Sequence, residues 1–123
     1  MISVCPVIDK KEVERIFSQK GFSFNEKSGV VEAREKEELL GSCLYELDER
    51  SITILLVEPT EDLFLGDGIL RSALHVAAQR SAMDAFYAQT VNEDFLEKLA
   101  FIKCKEEKRL DIDKLFGGCG CKK

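Results

Sequence analysis

The stretch Leu65-Gly66-Asp67-Gly68-Ile69-Leu70 follows the apolar run Ser51 to Val57 and the pair Glu58-Pro59. A strand that runs into closely spaced glycines and then an amphipathic helix can hold an anion. Glycine lets backbone approach a ligand, and the unpaired amides at a helix start carry the positive end of the helix dipole. Asp67 opposes that chemistry, and no Lys or Arg stands between Leu65 and Leu70. A carboxylate at about 4 Å from a phosphate costs about 4 kcal/mol at an effective dielectric near 20. Two readings follow. In one, Asp67 caps a helix that begins after Gly68 and no ligand is needed. In the other, the backbone amides from Gly66 to Leu70 hold a phosphate.

Other side chains able to do chemistry are few. Glu58, at a strand end, is an acid placed to act as general base; the simpler account is a solvated strand-end carboxylate. Cys119 and Cys121 form a C-x-C in a glycine-rich tail, a pair that could share a soft metal ion or a disulfide, or remain solvated thiols. Cys104 could join them; Cys5 and Cys43 read as core thiols. The single histidine, His75, falls opposite the apolar stripe of its helix and reads as surface. Tyr45 and Tyr87 lie on strands, where either could line a cleft between splaying parallel strands; the simpler account is sheet packing. The charged run Glu32 to Glu38 reads as a solvated hairpin turn.

These residues need elements to position them. Ile2 to Ile8 reads as a strand, with Pro6 pointing to an edge. Asp9 and Glu12 have capping-box spacing, and Val13, Ile16 and Phe17 recur at helical intervals, so a helix is predicted over Lys10 to Lys20 with Gly21 as its left-handed stop. Three strands follow at Gly29 to Arg34, Leu39 to Leu47 and Ser51 to Val57. Their connectors are short and charged, which predicts an antiparallel meander. The next helix places Ile69, Leu70, Ala73, Leu74 and Ala77 on one stripe. Ala85 to Val91 reads as a strand, and Asn92 as the cap of a helix from Glu93 to Leu99. A closing hairpin is predicted around Glu106 and Glu107. The central strand, helix, strand unit requires a parallel pair with a right-handed crossover. The fold class is α+β, a mixed sheet with helices on its faces.

The 123 residues suit one domain with a real core. With 45% hydrophobic and 33% charged residues the balance is that of an ordinary globular chain. A net charge of −5 argues against broad nucleic-acid or anionic-membrane binding. The start has no signal-peptide pattern, and no run reaches the ~18 apolar residues of a membrane helix. The expected location is the cytoplasm, where five cysteines, an odd number, stay reduced. Exposed sheet edges would allow a homodimer.

This order, with a glycine turn after the fourth strand, resembles the GNAT superfamily of N-acetyltransferases over nearly the whole chain. Val57-Glu58-Pro59 corresponds to the V-x-P that ends the family's fourth strand. Gly68-Ile69-Leu70-Arg71-Ser72-Ala73-Leu74 resembles its G-I-G-x-x-L-L phrase. Asn92 through Phe101 resembles its N-x-x…Y-x-K-x-G-F phrase, with Lys98 and Phe101 in place. The resemblance implies acetyl-CoA as cofactor and an amine as acceptor. It implies that Leu56 and Val57 pair their backbone with the pantetheine arm. It further implies that the amides of Gly66, Gly68, Ile69 and Leu70 hold the pyrophosphate and that Asn92 contacts the arm. Glu58 or a water chain would take the acceptor's proton. The departures imply weakened or lost transfer: Leu65 replaces Arg or Gln, Asp67 stands where a basic residue is frequent, Leu70 replaces a small residue, and Ala100 replaces Gly. Leu96 stands where the family has a tyrosine, and a leucine cannot protonate a thiolate. One helix precedes the second strand where the family has two, so the acceptor side is trimmed. The expected division is a GNAT-like domain over 1–116 and a flexible cysteine-containing tail over 117–123. The alternative function is a non-enzymatic interaction or metal- and thiol-handling module built on Cys119 and Cys121.

Overall fold

Apolar alternation and three side-chain caps set the elements. The computed structural model describes residues 2–80 and 84–112. They form β1 (Ile2–Pro6), α1 (Lys10–Gln19), β2 (Ser28–Glu35), β3 (Glu38–Leu47), β4 (Ser51–Glu58), α2 (Leu63–Gln79), β5 (Asp84–Tyr87), α3 (Glu93–Lys98), β6 (Ile102–Cys104) and β7 (Arg109–Leu110). This is the element order that the sequence predicts. The strands make one sheet in the order β1-β2-β3-β4-β5-β7-β6. Only β4 and β5 pair in parallel among the described strands, joined by α2 as the crossover.

Each face of the sheet has its own core. On one face Val31, Ala33, Cys43, Ile52, Ile54 and Val57 meet the α2 stripe of Ile69, Leu70, Ala73, Leu74 and Ala77, together with Phe95 and Leu96 of α3. On the other face Val30 and Leu44 meet Val13, Ile16 and Phe17 of α1. Burying side chains of this size stabilises the fold by about 1.5–3 kcal/mol each. The α1 helix starts because the Asp9 carboxylate accepts from the Lys11 amide at 2.9 Å. It stops at Gly21, whose φ of 82° suits a residue without Cβ.

Two boundaries differ from the sequence expectation by more than two residues; the first strand, expected to reach Ile8, ends at Pro6. The strand expected over Ala85 to Val91 ends at Tyr87, because the chain turns there and the Val91 amide bonds to the Ala88 carbonyl at 3.0 Å. The helix expected after Gly68 starts at Leu63 instead, with Asp62 as its cap; the Asp62 carboxylate accepts from the Leu65 amide at 3.1 Å. The apolar period runs back from Ile69 and Leu70 to Leu65 and Gly66, so the helix gains an extra turn that outweighs about 1 kcal/mol lost per internal glycine. Gly66, Asp67 and Gly68 are therefore helical. Asp67 caps nothing; its carboxylate accepts from Arg71 Nε at 3.0 Å, one turn on.

The feature that positions the site is a bulge in β4. Tyr45 opposes Ile54 while Leu44 opposes Leu56, which leaves Leu55 as the extra residue. The parallel ladder with β5 runs from Ser51/Asp84 to Ile54/Tyr87 and ends where the Ala88 amide bonds to the Ile54 carbonyl at 2.8 Å. Past that point the two strands separate.

Phe17 holds α1 on the sheet. It is fully buried, with edge-on contacts to Phe22 and Phe24 at centroid distances of 6.4 Å and 6.3 Å. Phe17→Ala is expected to cost about 3–5 kcal/mol, a large fraction of the 5–15 kcal/mol typical of a domain. A loss of less than about 1 kcal/mol in urea denaturation would contradict this account of how α1 is anchored.

Candidate active site

Where β4 leaves β5, the Thr90 hydroxyl donates to the Leu55 carbonyl at 2.5 Å and closes the apex of the gap. Beyond it lies an open cleft of about 590 Å³. Its floor is a transverse row in which Glu32 of β2 opposes Ser42 of β3, and Ser42 opposes Glu58 of β4. Residues directly opposite in a sheet share a face, here the face that carries α1. Arg15, Ile16 and Gln19 of α1 and its C-cap Lys20 form one wall. Pro59, Thr60 and Glu61, then Thr90, Val91 and Asn92, form the other.

Both charge signs line the cleft, and among the described residues all of these groups but Glu61 are paired. Lys20 Nζ lies 2.7 Å from Glu58 Oε1, which ties the C-terminal end of α1 to the end of β4. Arg15 pairs with Glu12 at 2.7 Å, a contact that lowers the Glu12 pKa through the hydrogen bond. Arg34 pairs with Glu32 at 3.2 Å. The Glu32 side chain is only 14% exposed against 46% for Glu58, so Glu32 is the more enclosed carboxylate. Adjacent strands lie about 4.8 Å apart, so the Glu32 and Glu58 backbones stand roughly 10 Å apart with Ser42 between them. Such a floor can accept protons and orient a cationic group.

Of the residues that the sequence singled out, Leu56, Val57, Glu58 and Asn92 line this one cleft. Asn92 also caps α3, its side-chain oxygen accepting from the Phe95 amide at 3.3 Å. Gly66, Gly68, Ile69 and Leu70 do not line it: they lie within α2, where amides bond one turn back, as Gly66 does to the Asp62 carbonyl at 2.9 Å. Gly66 is glycine for packing. A Cβ there would stand 2.6 Å from Phe95 Cε1 and 2.8 Å from the Pro59 carbonyl oxygen, whereas one at Gly68 meets nothing within 4 Å. Gly41 has a comparable role, since a Cβ there would collide with the Glu58 carbonyl oxygen and with Pro59.

Sequence reasoning missed Glu32, Ser42 and Lys20. The run Glu32 to Glu38 is not all turn: Glu32 through Glu35 belong to β2, and the reversal falls at Lys36, whose φ is 58°. An acid inside the apolar alternation Val30-Val31-Glu32-Ala33 was the available signal. Cys43 is fully buried, and that burial pushes its thiol pKa up. Cys5 is not a core thiol; it is exposed, because β1 is an edge strand with little to cover it. His75 is exposed as expected. Tyr45 and Tyr87 are buried in the sheet's packing. Leu96 is fully buried. Cys119 and Cys121 lie outside the described residues, and no metal-binding group of three His, Cys, Asp or Glu side chains occurs among the described ones. No described helix is long and apolar enough to cross a membrane.

The architecture is that of the GNAT acetyltransferases. A GNAT-family acetyltransferase from Streptococcus pneumoniae superposes with a TM-score of 0.55 at 17% identity, covering 83% of this chain and 88% of that one. A ribosomal-protein-alanine N-acetyltransferase from Brucella melitensis gives 0.57 at 13% identity, covering 80% and 90%. An aminoglycoside acetyltransferase from an uncultured soil metagenomic sample gives 0.58 at 13% identity, covering 89% and 92%. No protein-family model matches the sequence, and no curated protein matches it. The protein thus has a GNAT-like α+β fold in a single mixed sheet with helices on both faces.

The two glycines of α2 give opposite expectations. Gly66→Ala should lower stability by about 1–3 kcal/mol through overpacking against Phe95. Gly68→Ala, helical and open, should raise it by about 0.5–1 kcal/mol. Chemical denaturation of the two variants measures both, and equal signs would refute the assigned roles.

Tyr87 supplies a pH test. Burial, followed by its 2.6 Å hydrogen bond to Glu93, pushes its pKa up to about 12. A raised folded-state value means that the folded chain keeps a proton the unfolded chain releases. This contribution to stability is complete below pH about 10, the ordinary tyrosine value, and is lost as pH climbs toward 12. Tyr87→Phe should flatten the decline in melting temperature over that interval; an unchanged slope would contradict it.

Proposed function

We propose that the cleft binds an acyl thioester of coenzyme A and passes its acyl group to an amine, at a rate held down by the missing proton donor. The observation that carries this reading is the Leu55 bulge, with the separation of β4 from β5 immediately past it. The backbone of Leu56 and Val57 beyond the bulge has lost its β5 partner and offers an edge for the pantetheine arm. Asn92 stands at the mouth beside it. The acceptor amine enters from the α1 side, where Glu58 takes its proton. The nitrogen then forms its bond to the acyl carbon, the carbon–sulfur bond breaks, and the thiolate takes a proton from water, since Leu96 has none to give.

The phosphate end of the donor is the weak point. Because α2 starts at Leu63, the amides at its open end are those of Leu63 and Phe64 rather than Gly66 to Leu70. The Asp62 carboxylate already occupies that end. A negative cap discourages a second negative group, which supports weak donor binding. We place the reaction in the cytoplasm, where the thiols of the chain stay reduced.

Calorimetry with acetyl-CoA is expected to give a submillimolar Kd, accompanied by NMR shifts at Leu56, Val57 and Asn92. Asp62→Asn keeps a good cap but removes the charge, so it should tighten binding severalfold at low salt. Glu58→Gln should leave affinity within about twofold and slow transfer to a panel of small amines at least tenfold, toward the 10²–10⁴ range of general-base loss. No heat at millimolar acetyl-CoA, with those resonances unmoved, would overturn the proposal.

A further inference from the structure

We infer that the amine placed in this cleft is the chain's own: Lys20 is a self-acylation site. The inference rests on the acyl-transfer reading above and adds its acceptor. Lys20 is the sole amine side chain among the described residues that line the cleft; the other cations there, Arg15 and Arg34, are guanidinium groups that stay protonated and do not act as nucleophiles. Its Nζ is 2.7 Å from Glu58 Oε1, within reach of direct proton transfer to the carboxylate. Leu56, where the donor edge begins, is two residues back along β4, roughly 7 Å.

The local structure explains why Lys20 is there. It is the C-cap of α1, and its amide bonds to the Ile16 carbonyl at 3.1 Å. Gly21 then turns the chain away, and Phe22 packs against Phe17, so the last turn of α1 stands over the floor of the cleft. No helix lies between α1 and β2 to separate this lysine from the strand end. Stability alone does not account for the contact. Both side chains are partly exposed, 36% and 46%, and exposed ion pairs contribute little to stability.

The chemistry balances without any further reactant. The Lys20 ammonium gives one proton to the Glu58 carboxylate, and the freed Nζ lone pair bonds to the acyl carbon of the thioester. The carbon–sulfur bond breaks, the thiolate takes up one proton, and a second proton leaves the new amide nitrogen. The products are Nζ-acyl-Lys20, free thiol and one proton in solution. The modified side chain has no charge, so the tie between α1 and β4 is released and Glu58 is free to meet an external amine.

The test uses the full chain incubated with acetyl-CoA, followed by intact mass and peptide mapping. The expected result is a gain of one acetyl group at Lys20, at least tenfold faster than at the exposed Lys10, Lys11 and Lys36, with a rate per molecule independent of protein concentration. Lys20→Arg keeps the positive charge beside Glu58 and should remove the fast phase while acetyl-CoA still binds. Glu58→Gln should slow it at least tenfold. Modification of Lys20 no faster than the three reference lysines overturns the inference, and so does a rate that rises in proportion to protein concentration. If acetyl-CoA binds and Lys20 stays unmodified, this inference fails and the acyl-transfer reading stands. If acetyl-CoA does not bind, both fail.

Discussion

One extra residue in one strand governs the rest of this molecule. With Leu55 inserted opposite the Tyr45–Leu44 step, β4 bends just where its pairing with β5 ends. A parallel ladder continued to Glu58 would have filled the gap with backbone hydrogen bonds and left no cleft. The same bend carries Glu58 and Pro59 over β3, which is why position 41 cannot hold a side chain. It also sets where α2 starts, because the four residues from Pro59 to Asp62 are all the connection available before the helix begins. Thr90 reinforces the geometry by donating its hydroxyl to the bulged residue's carbonyl. A β-bulge re-aims one strand at little energetic expense, and here it opens the sheet at the carboxyl ends of its parallel pair, a usual location for ligands in such folds.

Much of this arrangement was legible in the residues. Alternation separated β2, β3 and β4, and the charged connectors between them implied antiparallel pairing. Asp9 and Asn92 marked two helix starts that the structure retains. The strand, helix, strand unit around α2 required the parallel pair. The start of α2 was not legible because two glycines close to an aspartate carry a strong local signal for a loop. That signal lost to a helical period that extended one turn further back, and Gly66 owes its identity to Phe95, a neighbour distant in sequence. Glu32 was hidden by composition: it begins a run of charges that reads as a turn, yet its side chain belongs to the strand.

The candidate site was half legible for a different reason. Leu56, Val57, Glu58 and Asn92 are tied to strand and helix ends, which periodicity and caps reveal. Lys20 and Glu58 are 38 positions apart in the chain, and their approach depends on how α1 lies across the sheet. No spacing rule within a single sequence encodes that crossing. Cys5 fails as a core residue for a similar reason: an apolar strand looks alike at the centre and at the edge, and only the strand order separates the two.

The two cores on opposite faces of the sheet are unequal. The α2 face joins residues from β2 through β7, whereas the α1 face has five buried side chains, Val13, Ile16 and Phe17 of the helix on Val30 and Leu44 of the sheet. Segments with fewer buried contacts open at lower free energy than the body that supports them. The two sides of the cleft therefore have different tolerances for sequence change. The wall bearing Lys20 can be redrawn by altering a short stretch of chain around residues 10–27, while the opposite wall is welded to the bulk of the protein. A scaffold divided in this way lets a lineage, or a designer, exchange the acceptor half as a cassette and keep the sheet untouched.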